Sequence, residues 1–292
     1  MLRTLAITFA ALALTGLTTA DPASPPPASA PDKQSWRIVG KLEHKPIAEC
    51  SGIVASRKHA GIFWVHNDSG NPAILYAVKY DGSLVGEFAV GASNEDWEDI
   101  ATDDAGHLYL GDIGNNGAHR KQLIVYRLDE PDPTTSKQVP RLKVTRQWTL
   151  TFPTTPFDCE ALFVHAGHGY LISKIYFGGQ AGLYRFPLDE TNEPVTLEKV
   201  ASVPVRTPVT AADISPDGKR LAVLSVAGLN VFDIDGDVTN VSKATASFTP
   251  YVHATMEACT FTPDGPVLVA TEPRQMLLFE PNPPRPKPGS DD

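Results

Sequence analysis

Along this chain apolar residues come in short alternating runs, not in helical stripes. Five segments share one shape: "ECSGIVAS", "DWEDIATDDAGHLYLGD", "DCEALFVHAGHGYLISK", "TAADISPDGKRLAVLS" and "MEACTFTPDGPVLVATE". Each reads as a strand, a turn and a second apolar strand. The turns "PDGK" and "PDGP" carry hairpin chemistry. A third strand follows each time: "ILYAVKY", "LIVYRL", "GLYRFPL", "GLNVFDI" and "QMLLFE". A fourth follows four times: "LVGEFAV", "RLKVTRQWTL", "LEKVASV" and "ATASFTP". The last unit lacks one, and "SWRIVGKLE" (Ser35 to Glu43) stands spare at the front. Repeats spaced by about 45–60 residues with four strands each predict an all-β β-propeller. Five four-stranded blades are expected, with six as the alternative if a long connection hides one. The front strand would complete the last blade and close the ring, leaving no free edge.

Aligning the first strand of each unit by apolar pattern puts Ser51, Glu98, Glu160, Ala212 and Glu257 in one column. Two residues earlier stand Glu49, Asp96, Asp158, Thr210 and Thr255. Two residues later come Ile53, Ile100, Leu162, Ile214 and Cys259, where the polarity stops. Positions two apart share a strand face, and first strands line a propeller's channel. The exits of the second strands add Asn67, Asp68, Asp112, Asn115, Lys174 and Glu272 at the same rim. Carboxylates gathered this closely raise one another's pKa or need a cation. Oxygen ligands suit a hard cation, most simply calcium. The candidate metal ligands are Glu98, Glu160, Glu257, Glu49, Asp96, Asp158, Asp112, Asn67 and Asn115. The alternative is a water-filled or salt-bridged channel, in which Lys174 neutralises one acid. Asp103 and Asp104 fall at the far hairpin turn and are expected to be solvated.

Composition narrows the function. The 292 residues carry a formal net charge of -9, which argues against nucleic-acid binding. Twenty-six prolines and twenty-two glycines fit a turn-rich chain. The first twenty residues, "MLRTLAITFAALALTGLTTA", have the three-part form of a secretory signal. Residues 21–34 read as a Pro/Ala-rich linker and residues 282–292 as a disordered tail, leaving 35–281 for the propeller. Beyond the signal no run is long and apolar enough to span a bilayer. A soluble monomer, periplasmic or secreted, is expected. Cys50, Cys159 and Cys259 are odd in number and lack metal spacing, so buried thiols are expected. "DIDGDVTN" places its glycine too early for an EF-hand and reads as a turn. His107, His165 and His168 lie at hairpin turns, whereas His66 and His253 stand near the acidic rim. Trp97 reads as packing between blades. No nucleophile-elbow, Walker or dinucleotide pattern is present.

"ECSGIV", "HNDSG", "LYAVKYDGS", "DWEDIA" and "GDIGNN" resemble a group of exported bacterial β-propellers. The arrangement also resembles the SdiA-regulated propellers. More distantly it is similar to the calcium-dependent gluconolactonase and paraoxonase propellers. That last resemblance implies calcium in the central channel and hydrolysis of lactones or organophosphates. It matches Glu98, Glu160 and Glu257 to strand-one channel positions, and Asn67 and Asn115 to rim loops. Two functions follow as expectations. One is a module that holds a cation and presents its rim to a small-molecule or protein ligand. The other is a metal-dependent lactone or phosphoester hydrolase, the cation polarising a substrate oxygen and Glu160 or His66 acting as base.

Overall fold

The computed structural model describes residues 36–137, 141–176, 179–205 and 208–280. The expected signal, most of the linker and the tail lie outside them. Five antiparallel four-stranded units form, and among the described residues there is no helix beyond one 3-10 turn at Val238–Ser242. The chain is a five-bladed β-propeller.

The inner strands are Cys50–Ala55, Trp97–Thr102, Cys159–His165, Val209–Ile214 and Thr255–Phe261. Each blade then runs outward through its consecutive strands. The front strand Trp36–Lys41 pairs antiparallel with Gln275–Phe279, Trp36 opposite Phe279 and Lys41 opposite Gln275. The ring therefore closes through the first strand, as the spare segment predicts. Five apolar clusters fill the five blade interfaces. Trp97, fully buried, belongs to the cluster between blades 1 and 2. Cys50, Cys159 and Cys259 are buried free thiols.

The outer edges are partly covered. Val195–Thr196 adds a short parallel strand beyond Val144–Thr151 of blade 2, which the sequence pattern does not signal. The connection between strands Gln122–Asp129 and Val144–Thr151 of blade 2 bonds the outer edge of blade 1, Leu142 N–H donating to Ala89 O at 2.7 Å. Such covers blunt exposed strand edges.

Every inner strand is bulged at one equivalent place. The register slips between Cys50 and Gly52, Trp97 and Asp99, Cys159 and Ala161, Val209 and Ala211, and Met256 and Ala258. The extra residues are Ser51, Glu98, Glu160, Thr210 and Glu257. The acidic column is thus the bulge column, and it corrects the alignment in blade 4. Thr210, not Ala212, stands beside the glutamates. A bulge breaks the period of two, so core residues flank it three apart. Cys50 and Ile53 share one cluster, as do Cys159 with Leu162, Val209 with Ala212, and Met256 with Cys259. Ala212 is a core residue of the interface between blades 3 and 4.

Candidate functional site

Four of the bulge residues, Ser51, Glu98, Glu160 and Glu257, open onto one end of the channel. A cavity of about 240 Å³ there is lined by six carboxylates, Glu49, Asp68, Glu98, Glu160, Glu257 and Glu272, with Ser51, Asn116 and Lys174 among its other walls. Oxygens of Asp68, Asp96 and Glu98 lie within 4.8 Å of one another. Glu98 is 5% exposed, and its Oε2 accepts a bond from Ser51 Oγ at 3.3 Å. Gly114 closes over this triad. A Cβ there would stand 2.2 Å from Glu98 Oε1 and 2.4 Å from Asp96 Oδ2. The second glycine of "GDIGNN", Gly114, is therefore needed for close approach of the loop backbone.

Electrostatics follow from this crowding. Burial, then the charges of Asp68, Asp96 and Asp158, pushes the Glu98 carboxyl up to about 9. Burial first also raises Asp96 and Asp68. Glu257 rises to about 7 through burial and the neighbouring Glu272. Without a compensating charge, Glu98 holds its proton at neutral pH. Lys174 meets Glu160 in an ion pair, as weighed for the salt-bridged channel.

Several expected ligands are used otherwise. Asn67 supports the entry loop, its amide donating to Pro46 O at 2.7 Å and accepting from Glu49 N at 3.2 Å. Asp112 is 1% exposed and pairs with Arg120 Nη2 at 2.8 Å. Asn115 binds the backbone of Arg120 and Phe157. Asp158 accepts from Asn115 N at 2.7 Å through one oxygen, and its buried Oδ2 has no partner among the described residues. Glu49 is exposed and accepts from Asn71 at 2.8 Å. Asn67 and Asp112 stand directly opposite Cys50 and Trp97, residues that pack into blade interfaces. The next residue along, Asp68, lines the cavity.

His66 is fully buried between blades 1 and 2. Its ring lies edge-on to Trp97, centroids 5.5 Å apart, and burial lowers its pKa to about 4. It is a neutral packing residue that does not line the cavity. His253 is exposed and packs beside Tyr251 and Trp36. The expectation for Asp103 is corrected: it is half-buried and accepts from Tyr109 Oη at 2.9 Å and His107 Nδ1 at 2.8 Å. A hairpin turn can hold a carboxylate in place when the adjoining strands supply donors.

Two aspartates, the buried Asp99 and the half-buried Asp213, carry a structural role that the alignment does not single out. Asp99 Oδ2 accepts from Leu162 N of blade 3 at 2.9 Å and Ala212 N of blade 4 at 3.3 Å. Asp213 Oδ2 accepts from Phe261 N at 2.8 Å and Thr260 Oγ1 at 2.9 Å in blade 5. Thr260 Oγ1 in turn accepts from Ala55 N of blade 1 at 3.0 Å. These bonds form a polar girdle between the acidic cavity and a second cavity of about 190 Å³ containing Arg57, Asp213 and Thr260. Asp99 directly follows its bulge residue, where the other blades have Gly52, Ala161, Ala211 and Ala258, whereas Asp213 stands three residues after Thr210.

No family model matches the sequence, and none of the curated proteins does. Solved structures resemble the fold. A glucose dehydrogenase structure is 10% identical, with 85% of this chain and 99% of that chain covered and a TM-score of 0.51. A nidogen/laminin complex gives 9% identity, coverage of 81% and 84%, and a TM-score of 0.46. Hydrazine synthase of Kuenenia stuttgartiensis gives 14% identity and a TM-score of 0.42, with 80% of this chain covered. This chain spans 56% of that one's length. At these identities the likeness concerns the propeller fold alone.

Proposed function

We propose that this protein is an exported propeller that holds one divalent cation, most simply calcium, and offers the loaded channel mouth to a small ligand or protein partner. The observation that carries this reading is the Asp68, Asp96 and Glu98 triad, whose oxygens converge within 4.8 Å. None of the ion pairs among the described residues involves these three acids. Two oxygens on opposite sides of a calcium ion, each bonded at about 2.4 Å, are about 4.8 Å apart. A cation would also let the buried Glu98 ionise. The binding reading is favoured over the hydrolase because both candidate bases are engaged elsewhere: Glu160 pairs with Lys174, and His66 is buried away from the cavity. Export rests on the secretory pattern of the first twenty residues.

The test is thermal unfolding of metal-free protein with added calcium. A ligand that binds only the folded state at about 100 times its Kd stabilises by about 2.7 kcal/mol. Glu98→Gln should abolish most of that gain. Melting indifferent to millimolar calcium, with Glu98→Gln more stable than the metal-free wild type, would mean an empty acidic well relieved of repulsion. A lactone and ester screen with calcium and with chelator addresses the hydrolase separately.

A further inference from the structure

The channel has a second end. Beyond the girdle, the turns joining strands one and two carry Ser56, Arg57, Pro216 and Pro263 around the cavity of about 190 Å³. Its walls are apolar at Val54, Ala55, Phe261 and the two prolines. Arg57, Thr102 and Pro216 also line a larger cavity of about 430 Å³, so the two spaces adjoin at these residues. The turn bearing Arg57 is held in place. Ser56 Oγ accepts from Lys58 N at 3.2 Å and His59 N at 2.7 Å. It donates to the buried Glu130, whose same oxygen accepts from Trp64 Nε1 at 2.7 Å. Arg57 itself is half-buried and enters no ion pair among the described residues. Asp213, the acid in the same cavity, directs its oxygens to Ile214 N, Phe261 N and Thr260 Oγ1. Arg57 acts on it through space, without a contact pair.

We propose that this cavity is a second ligand site, independent of any cation at the acidic end, which takes a small organic acid with its carboxylate on Arg57 and its apolar body against Val54, Phe261 and Pro263. A guanidinium keeps its charge at any ordinary pH. A ligand that fills the cavity strips water from that charge and must bring an anion to replace it. A planar carboxylate matches the guanidinium fork, two oxygens to two N–H groups. The walls set the rest of the ligand. An apolar protein cavity of about 150 Å³ takes up benzene, so about 190 Å³ suits an acid with a body of roughly that size. An inorganic anion would leave the apolar walls uncovered, and a neutral ring would leave the guanidinium without a partner.

Titration of the full-length chain with sodium benzoate at pH 7, followed by calorimetry and amide chemical shifts, tests this. Chelator is present throughout, so no calcium at the acidic end can draw the carboxylate there. Saturable binding is expected, with the shift changes centred on Val54, Ala55 and Phe261. Benzyl alcohol and inorganic phosphate should each bind at least about tenfold more weakly, because each lacks one half of the recognition; about tenfold is the lower end for one charge-assisted bond. Arg57→Gln should weaken benzoate by a similar factor and leave benzyl alcohol unchanged, and Arg57→Lys should lose less. The comparison of the three probes on the wild type needs no variant, so it stands even if Arg57→Gln folds poorly. Absence of saturable benzoate binding, or shift changes centred on the acidic end, overturns the proposal. So does benzyl alcohol or phosphate binding as tightly as benzoate, or an unchanged benzoate affinity in folded Arg57→Gln. None of these outcomes bears on calcium binding by the triad, which the melting experiment tests separately.

Discussion

Replacing Asp213 with Asn isolates one charge in the girdle. The carboxyl accepts from Ile214 N at 2.8 Å, Phe261 N at 2.8 Å and Thr260 Oγ1 at 2.9 Å. Burial outweighs those bonds and the Arg57 charge, and pushes its pKa up to about 6 from an ordinary 3.8. The folded protein thus binds more protons at this site than the unfolded chain between about pH 4 and pH 6. The sign follows: stability from this group is full below about pH 4 and is lost as pH rises through 6. The rise corresponds to about 3 kcal/mol at most. About 2 kcal/mol is expected because the residue is only half-buried. Asp213→Asn carries no charge at any pH but presents one acceptor oxygen instead of two. It should be less stable than the wild type at pH 4 by about 1–3 kcal/mol, the cost of unpaired buried donors. That deficit should shrink by about 2 kcal/mol by pH 7, as the wild type loses its own contribution. Urea unfolding of both proteins at pH 4, 5, 6 and 7 reads the difference. Stability curves that run parallel across that range would refute the burial argument.

Three further outcomes test the architecture and the site. A chain beginning at Ser35 should melt like the full-length protein, whereas one beginning at His44 lacks the strand paired with Gln275–Phe279 and should melt lower and aggregate. Equal melting by calorimetry and light scattering would refute closure by that strand. Gly114→Ala should weaken calcium binding about tenfold or more, about 1.4 kcal/mol, with an unchanged circular dichroism spectrum, because its Cβ would meet Glu98 Oε1 and Asp96 Oδ2. Arg120→Ala strips the buried Asp112 carboxylate of its partner at 2.8 Å and should cost about 3 kcal/mol in urea unfolding; a loss below about 1 kcal/mol would place that pair with ordinary surface bridges.

What the sequence determined is what alternation and turn chemistry express locally: the strands, their grouping into five blades and the spare front strand. Each strand's apolar face is written in a few consecutive residues, and each hairpin brings near neighbours together. The acidic rim was legible in the same way, because Glu98, Glu160 and Glu257 recur at one place in the repeat. The tertiary structure decided which acids meet. A bulge adds one residue without changing composition, so the apolar pattern alone could not place Thr210 rather than Ala212 in the channel column. Asn67 and Asp68 are adjacent in sequence, yet one supports a loop and the other lines the cavity. Which does which depends on the pairing register at the strand end. The Lys174–Glu160 pair, the reach of Asp99 to Ala212 and the link from Asp213 through Thr260 to Ala55 join residues brought near by strand pairing or ring closure. Contacts across a closed ring depend on the positions of all its blades at once, and no local stretch of sequence specifies those positions.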